Sequence, residues 1–192
     1  MAEGGFRRIG ERQRYDGGFF RVVTGTFLDP GGFTFEREII RHPGAVAIVA
    51  LEADGRHALL VRQYRAAIDT LALELPAGKR DLPSEPPELC ARRELAEEVG
   101  RHAARWTELG RFYNSLGFSD EETIVYLAED LTTTEREAHG VEESHLTVEP
   151  VELDAVPELV AGGEIVDAKT IIGCLLASRV LATREGGSPE SS

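Results

Sequence analysis

Short apolar stretches, some alternating with polar residues and some continuous, fill the first third of the chain and predict β-strands. FFRVVTGTF (19–27) and FTFEREII (33–40) flank a DPGG turn at 29–32, a pattern typical of a β-hairpin. The next two apolar segments, AVAIVAL and HALLVRQY, are separated by a loop containing Asp54-Gly55, a pair that favours a tight turn. Four strands are therefore predicted ahead of residue 65.

Further along the chain, the pattern changes from strands alone to a mixture of strands and helices. LALELPAG is a short extended segment that ends at Pro76 and Gly78. The next segment, about 86–99, is predicted to be a helix with two prolines in its first turn and Gly100 at its C′ position. Beyond it we expect strands near 105–113, 121–128 and 147–153, an acidic loop at about 129–146, and helices near 155–161 and 168–182. This order lacks the regular alternation of a parallel sheet and indicates an α+β fold.

Composition and charge narrow the class of protein. A chain of 192 residues with 42% hydrophobic and 29% charged residues is typical of one soluble globular domain. The formal charge of −13 argues against binding to nucleic acid or to an anionic membrane. With no apolar signal region and no run long enough to span a bilayer, a cytoplasmic location is expected. The two cysteines, Cys90 and Cys174, are interpreted as buried thiols.

Three glutamates are expected on one side of the helix predicted at about 86–99. At 100° per residue, Glu94, Glu97 and Glu98 fall within a sector roughly 100° wide, beside an apolar stripe. Mg²⁺ prefers carboxylate, carbonyl and water oxygens, so these side chains and a loop carbonyl near Ala77 form a plausible ligand set. Taken alone, three glutamates also fit an ordinary solvated acidic face.

A longer pattern around these glutamates resembles the Nudix box, G-x5-E-x7-R-E-U-x-E-E-x-G-U. RELAEEVG (93–100), with Glu85 eight positions before Arg93, matches every charged position of that pattern. Six residues rather than five separate Gly78 from Glu85, and Arg101 takes the final hydrophobic position. The extra residue lengthens the loop ahead of the helix without changing the helix register, so we expect it to be tolerated.

The resemblance implies a fold, a domain division and a metal. The expected fold is the Nudix α/β/α sandwich with a mixed central sheet, preceded by N-terminal antiparallel strands. The expected division is a flexible N-terminus (1–12), a β extension (13–42), the Nudix domain (43–182) and a disordered tail (183–192). Mg²⁺, or Mn²⁺ in its place, is the implied cofactor.

Residue roles also follow from the resemblance to the Nudix box. Glu94, Glu97 and Glu98 would be metal ligands together with the carbonyl of Ala77. Arg93 would orient the glutamates, and it is counted with Glu97 among the catalytic candidates.

Four other segments are similar to the ADP-ribose pyrophosphatase branch of the Nudix family: VRQYR, ELPAGK, FYNSLGFSDE and GEIVDAKTIIG. The similarity implies hydrolysis of ADP-ribose or a related nucleoside diphosphate sugar, with AMP and ribose 5-phosphate as products from ADP-ribose. It also implies a homodimer formed through the N-terminal strands. Leu116 stands where the branch usually has proline. Hydrolysis of NADH, a dinucleotide or coenzyme A therefore stays open, as does a sensor that binds ADP-ribose without cleaving it.

The candidates for substrate binding lie outside the box. Arg62 and Arg65 end a predicted strand, and a guanidinium suits a diphosphate because its donors form a planar fork. Two surface arginines are the alternative interpretation. Glu74 is either a substrate contact or an edge charge. The FYNSLGFSDE segment adds three more candidates, Gly117, Phe118 and Ser119.

The general base is expected outside the box, in the loop EREAHGVEESHLTVEP. Members of the branch usually place this base in a mobile loop after the central strands. Glu143 is the preferred candidate and Glu142 the second. Either residue can act only if loop closure brings it within hydrogen-bond reach of the attacking water. A solvated acidic loop is the alternative.

Overall fold

The computed structural model describes residues 5–82, 84–136 and 144–186. The chain forms two compact units, one of Met1–Gly44 with Phe112–Thr123 and one of Ala45–Arg111 with Ile124–Ser192. The first boundary lies close to the predicted end of the β extension at residue 42. The structure groups the segment 112–123 with the first unit, and the expected division of the chain into domains stays a prediction.

The first unit contains a three-stranded antiparallel sheet in the order β1-β2-β3. Its strands are β1 (Arg7–Asp16), β2 (Arg21–Leu28) and β3 (Thr34–Arg41). The β2–β3 hairpin matches the predicted hairpin, and the rings of Phe27 and Phe35 stack across it with centroids 5.5 Å apart. The sequence did not predict β1, which begins within the segment 1–12 expected to be flexible. All ten residues of β1 are exposed, so this strand has no apolar alternation.

The second unit is built around a seven-stranded mixed sheet. Its main path has the order β10-β5-β4-β9-β8, while β6 pairs with β5 and β7 pairs with β4. The strands are β4 (Ala45–Leu51), β5 (His57–Arg65), β6 (Thr70–Glu74), β7 (Ala77–Lys79), β8 (Arg101–Tyr113), β9 (Glu122–Thr133) and β10 (Thr147–Glu152). Every residue of β4 is buried, which explains its continuous apolar run.

In the part of the chain that the structure describes, three α-helices accompany this sheet: α1 (Pro87–Glu94), α2 (Val156–Ala161) and α3 (Ala168–Gly186). α1 continues into a π-helical turn, Leu95–Val99, and a 3-10 turn, Leu153–Ala155, precedes α2. Within the described residues, no helix is long and apolar enough to cross a membrane. α3 extends past the predicted start of the tail at 183, and 187–192 lie outside the described residues.

The helix that carries the box is anchored by the main core. Pro86 and Pro87 begin it and Gly100, with a φ of 68°, ends it in the left-handed conformation, as predicted. Leu95 is fully buried in a cluster with residues of β4 and β9 such as Ile48 and Ile124. Burial of each such side chain stabilises the fold by about 1.5–3 kcal/mol. The core therefore sets the rotation of the helix, and with it the side on which the glutamates lie.

Candidate active site

Arg93 binds three carboxylates, two on the box helix and one just before it. Its Nη1 donates to Glu94 Oε1 at 2.7 Å and to Glu97 Oε2 at 3.1 Å. Its Nε and Nη2 each donate to Glu85 at 3.3 Å. Burial opposes the charge of Arg93, but the hydrogen bond with Glu85 and the charge of Glu94 raise its pKa above the usual value. One guanidinium thus holds three carboxylates among the contacts described.

Glu98 is held by the first residue of β7. It is 6% exposed, and its Oε2 accepts a hydrogen bond from the backbone N–H of Ala77 at 3.0 Å. A buried carboxylate is costly unless it is hydrogen-bonded or paired, and this contact contributes to that stabilisation. The predicted ligands Ala77 and Glu98 are therefore neighbours, joined in this structure through the N–H of Ala77.

Gly78 brings the backbone of the Glu74–Gly78 loop directly against Glu94. A Cβ atom at this position would lie 1.9 Å from Glu94 Cδ and 2.1 Å from its Oε1. No side chain fits there unless Glu94 moves. The position of the first glycine of the box is therefore explained by the close approach of loop and carboxylate.

The donor chemistry of this site suits a hard divalent cation. The predicted set is three carboxylates and one backbone carbonyl, all of them oxygen donors, and the loop lies against Glu94 at Gly78. In the structure, Arg93 and the Ala77 N–H hold the carboxylates, and no three His, Cys, Asp or Glu side chains in the described ranges are grouped so that they could hold a metal. A cation bound by Glu94 and Glu97 would therefore compete with Arg93 for the same oxygens.

A second ionic group surrounds Glu74 at the end of β6. Arg65 donates to both oxygens of Glu74, at 2.7 and 2.8 Å, and Lys169 also binds this carboxylate. Burial raises the pKa of Glu74, but the hydrogen bond from Arg65 and the charge of Lys169 outweigh this effect and lower it to about 2. Glu74 is 2% exposed, whereas the Arg65 side chain is 40% exposed. A substrate role for either residue stays a prediction.

Arg62 is engaged by two carboxylates. It donates to both oxygens of Glu149, at 2.7 and 3.1 Å, and to Glu164 at 2.7 Å. Its hydrogen bonds with these two residues raise the pKa of Arg62 above its usual value. A diphosphate would have to replace at least one of these partners. The binding role of Arg62 stays a prediction.

The remaining substrate candidates, Gly117, Phe118 and Ser119, lie in the first unit. The Phe118 carbonyl accepts a hydrogen bond from the Ile40 N–H at 2.7 Å, which attaches this loop to β3. The loop borders a cavity of about 320 Å³ within that unit. The cavity is lined by Phe27, Arg37, Ile39, Arg41, Tyr113, Leu116, Gly117, Phe118, Ser119 and Asp120. All three candidates therefore line one cavity. The two general-base candidates, Glu142 and Glu143, lie outside the described residues.

The sequence reasoning did not assign a role to the residues that begin α3. Asp167 accepts a hydrogen bond from the Thr170 N–H at 2.9 Å, and Lys169 and Thr170 reach the end of β6. A helix-start signal was available, because an Asp just before an apolar helical segment is a preferred N-cap. That signal marks the start of the helix, but it does not predict the contact between Lys169 and Glu74.

Comparisons with known proteins identify the family of this chain. A NUDIX domain model matches residues 41–171. An ADP-ribose pyrophosphatase of Mycobacterium tuberculosis is 40% identical over 94% of this chain and 86% of its own length. An ADP-ribose pyrophosphatase of Bacillus subtilis is 37% identical over 85% of this chain and 88% of its own length.

The fold has a solved counterpart as well. A crystal structure of an ADP compounds hydrolase superposes with a TM-score of 0.82 at 21% identity, covering 96% of this chain and 98% of the other. The chain belongs to the Nudix family, a family that generally uses divalent metal ions. The resemblance inferred from the box and from the four other segments is thereby confirmed, as is the α+β fold.

Proposed function

We propose that this chain is a Mg²⁺-dependent pyrophosphohydrolase that cleaves the diphosphate bond of ADP-ribose or a related nucleoside diphosphate sugar. ADP-ribose would give AMP and ribose 5-phosphate. The observation that carries the proposal is the contact of the Ala77–Gly78 loop with Glu94 and Glu98 of the box helix. Support for the substrate class comes from the names of the two relatives and from the segments shared with their branch.

The residues of the box divide between metal binding and positioning in this proposal. Glu94, Glu97, Glu98 and the Ala77 carbonyl would hold Mg²⁺, with Mn²⁺ as a substitute. The bound ion would supply Lewis acidity toward the diphosphate and make a water more acidic. Arg93 keeps the carboxylates of Glu94 and Glu97 in place through its hydrogen bonds.

Two tasks in the reaction belong to other segments. We propose that Glu143, or Glu142 as the second choice, accepts the proton of the attacking water. Arg65 is proposed to bind the substrate diphosphate, because its side chain is 40% exposed and its guanidinium presents a planar fork of donors.

The activity is tested by incubating purified protein with ADP-ribose and MgCl₂ and measuring AMP by chromatography. We expect AMP to form, EDTA to abolish its formation, and Mn²⁺ to restore part of it. Glu97→Gln should remove most of the activity. Glu88→Gln is the matched control, because Glu88 lies on the same helix, is exposed, and pairs with Arg92.

Two outcomes of this assay would favour the alternatives. Tight binding of ADP-ribose without AMP formation would favour a non-catalytic sensor. A higher kcat/KM for NADH, a dinucleotide or coenzyme A than for ADP-ribose would identify that compound as the preferred substrate. Leu116, which replaces the proline usual in the branch, is 78% exposed beside the cavity of the first unit, so Leu116→Pro tests whether this position affects the choice of substrate.

We also propose that the protein is a homodimer that uses the sheet of the first unit. Phe6, Ile9, Tyr15 and Phe33, in or beside its strands, are each between 46% and 74% exposed, and aromatic side chains are enriched at protein interfaces. Light scattering during size-exclusion chromatography should give twice the chain mass of 21.0 kDa. Ile9→Lys should shift that mass toward the monomer, and a monomeric wild-type protein would contradict the proposal. The absence of nucleic-acid binding and the cytoplasmic location stay predictions.

A further inference from the structure

The Glu74–Gly78 loop runs from the end of β6 into the start of β7, where Ala77 and Gly78 pair with β4. It is anchored further at four successive residues. The side chain of Glu74 binds Arg65 and Lys169. The Leu75 N–H donates to Thr170 Oγ1 at 2.8 Å, and the Pro76 carbonyl accepts from the Ile48 N–H at 2.9 Å. The Ala77 N–H then donates to Glu98 at 3.0 Å. These anchors leave the peptide groups beside the box glutamates little freedom to rotate.

Two of the four anchors come from the first turn of α3. Thr170 is fully buried, and its hydroxyl accepts from the Leu75 N–H while donating to Asp167 Oδ2 at 2.6 Å. Lys169 bridges Glu74 and Asp167, with a distance of 2.8 Å to Asp167 Oδ1. The same Asp167 carboxylate caps the helix by accepting from the Thr170 N–H. Helix start and loop are therefore joined through one hydrogen-bonded network.

The packing of α3 keeps this network close to the loop. Gly173 lies one turn after Thr170, and a Cβ atom added there would be 2.5 Å from Leu75 Cδ1 and 3.2 Å from Val125 Cγ1. The helix thus approaches the sheet as closely as a glycine allows. A shift of the first turn of α3 would be transmitted to Leu75, two residues before Ala77.

We propose that Asp167, Lys169 and Thr170 are positioning residues, which hold the Glu74–Gly78 loop so that the Ala77 peptide faces the box glutamates. The inference rests on the proposed function only for its effect on the reaction. Its structural part, the immobilisation of the loop by α3, holds without metal or substrate. In the contacts described, Lys169 and Thr170 bind Glu74 and Leu75 of the loop, so the three residues are proposed to act through the loop.

Thr170→Val tests the structural part of this proposal. Valine has nearly the shape of threonine and keeps the backbone N–H that binds Asp167, but it removes the acceptor of the Leu75 N–H. Amide hydrogen exchange of the metal-free protein, followed by NMR, should become about tenfold faster at Leu75 and also faster at Ala77. Thr170→Ser should restore the protection. Thr183→Val is the matched control, because that hydroxyl lies on the same helix and binds only the Arg179 carbonyl among the contacts described.

Mn²⁺ binding and kinetics test the functional part. Titration followed by electron paramagnetic resonance, without substrate, should give a Kd for Mn²⁺ about tenfold higher in Thr170→Val than in wild type and Thr170→Ser. The kcat for ADP-ribose should fall in the same order. Lys169→Met, which leaves Arg65 on Glu74, provides a second variant at a less buried position and should show a smaller change in the same direction.

The outcomes separate this inference from the proposed function. If the wild type binds Mn²⁺ and cleaves ADP-ribose while Thr170→Val shows unchanged Ala77 exchange and unchanged Mn²⁺ affinity, the positioning role is wrong and the function stands. A lower Tm with unchanged Ala77 exchange and Mn²⁺ affinity also overturns it, since that result describes a purely structural residue. If loop exchange changes as expected but the wild type cleaves no diphosphate, immobilisation by α3 stands and the proposed function fails.

Discussion

Two ionic clusters of the second unit combine carboxylates and basic side chains in different proportions. The Arg93 cluster consists of Arg93, Glu85, Glu94 and Glu97, and the Glu74 cluster consists of Glu74, Arg65, Lys169 and Asp167. The first has three carboxylates for one cation, whereas the second has two of each. Both are held by hydrogen bonds between side chains, so the difference lies in the balance of charge rather than in the number of contacts.

This difference separates a site that can take another cation from a part of the scaffold. Excess negative charge is unfavourable in a partly buried group, and a divalent cation relieves it. A balanced buried group has nothing to gain from a further ion, and loss of one partner leaves an uncompensated charge behind. We therefore expect substitutions in the Arg93 cluster to affect activity, and substitutions in the Glu74 cluster to affect stability first.

The largest expected effect is on the activity of Glu97→Gln. Loss of one carboxylate should lower kcat for ADP-ribose by about 10²–10³-fold, similar to the removal of other groups that stabilise transition-state charge. Because the substitution also relieves repulsion, the free energy of unfolding should change by no more than about 0.5 kcal/mol. Steady-state kinetics and urea unfolding measure the two quantities. A large loss of stability would show that the cluster is a structural element.

Glu74→Gln should give the reverse pattern. It leaves Arg65 and Lys169 without their buried counter-charge, and the breaking of such a group typically costs about 3–5 kcal/mol. Urea unfolding monitored by circular dichroism measures the loss. Glu149→Gln is a suitable control, because it also removes an arginine partner but at a position that is 37% exposed, where about 1 kcal/mol or less is expected. Equal losses for the two variants would contradict the contrast between the clusters.

The free energy of unfolding should depend on pH through the ionisation of Glu74. Its pKa in the folded protein is about 2, below the ordinary value of 4.5, so its contribution is complete above pH 4.5 and is lost as the pH falls toward 2. The loss amounts to about 3 kcal/mol. Urea unfolding at several pH values should therefore show the stability difference between wild type and Glu74→Gln shrinking between pH 4.5 and 2. If the stability difference between the two proteins does not change with pH, the ionic explanation is wrong.

A smaller effect is expected for Gly78→Ala, which tests the contact between loop and box directly. The added methyl would lie 1.9 Å from Glu94 Cδ, so either the loop or Glu94 must move, at a typical cost of about 1–3 kcal/mol. Mn²⁺ affinity should fall together with stability. Gly10→Ala is the control, since its added Cβ would lie 3.8 Å from the nearest atoms of Thr26, an ordinary contact distance. Unchanged Mn²⁺ affinity in Gly78→Ala would show that this contact does not contribute to metal binding.

Parts of the fold and of the site were predictable because they depend on residues close in sequence. The helix at 86–99 follows from its own prolines, its terminal glycine and the spacing of its glutamates, and the structure departs only in the π-helical turn Leu95–Val99. The β2–β3 hairpin follows from its turn residues. The strand β1 was missed because its pairing with β2 uses backbone groups, and an exposed strand needs no apolar pattern.

The sequence by itself determined that three glutamates share one side of a helix behind a glycine-containing loop, because helix periodicity and local turn residues decide such an arrangement. Only the tertiary structure decided which cations these and the neighbouring carboxylates bind. Lys169 and Thr170 reach Glu74 and Leu75 across 95 residues of chain, and no local pattern encodes a contact of that separation. The packing of α3 against the sheet decides it, because that packing brings Lys169 to a carboxylate that Arg65 already binds within the β5–β6 pair.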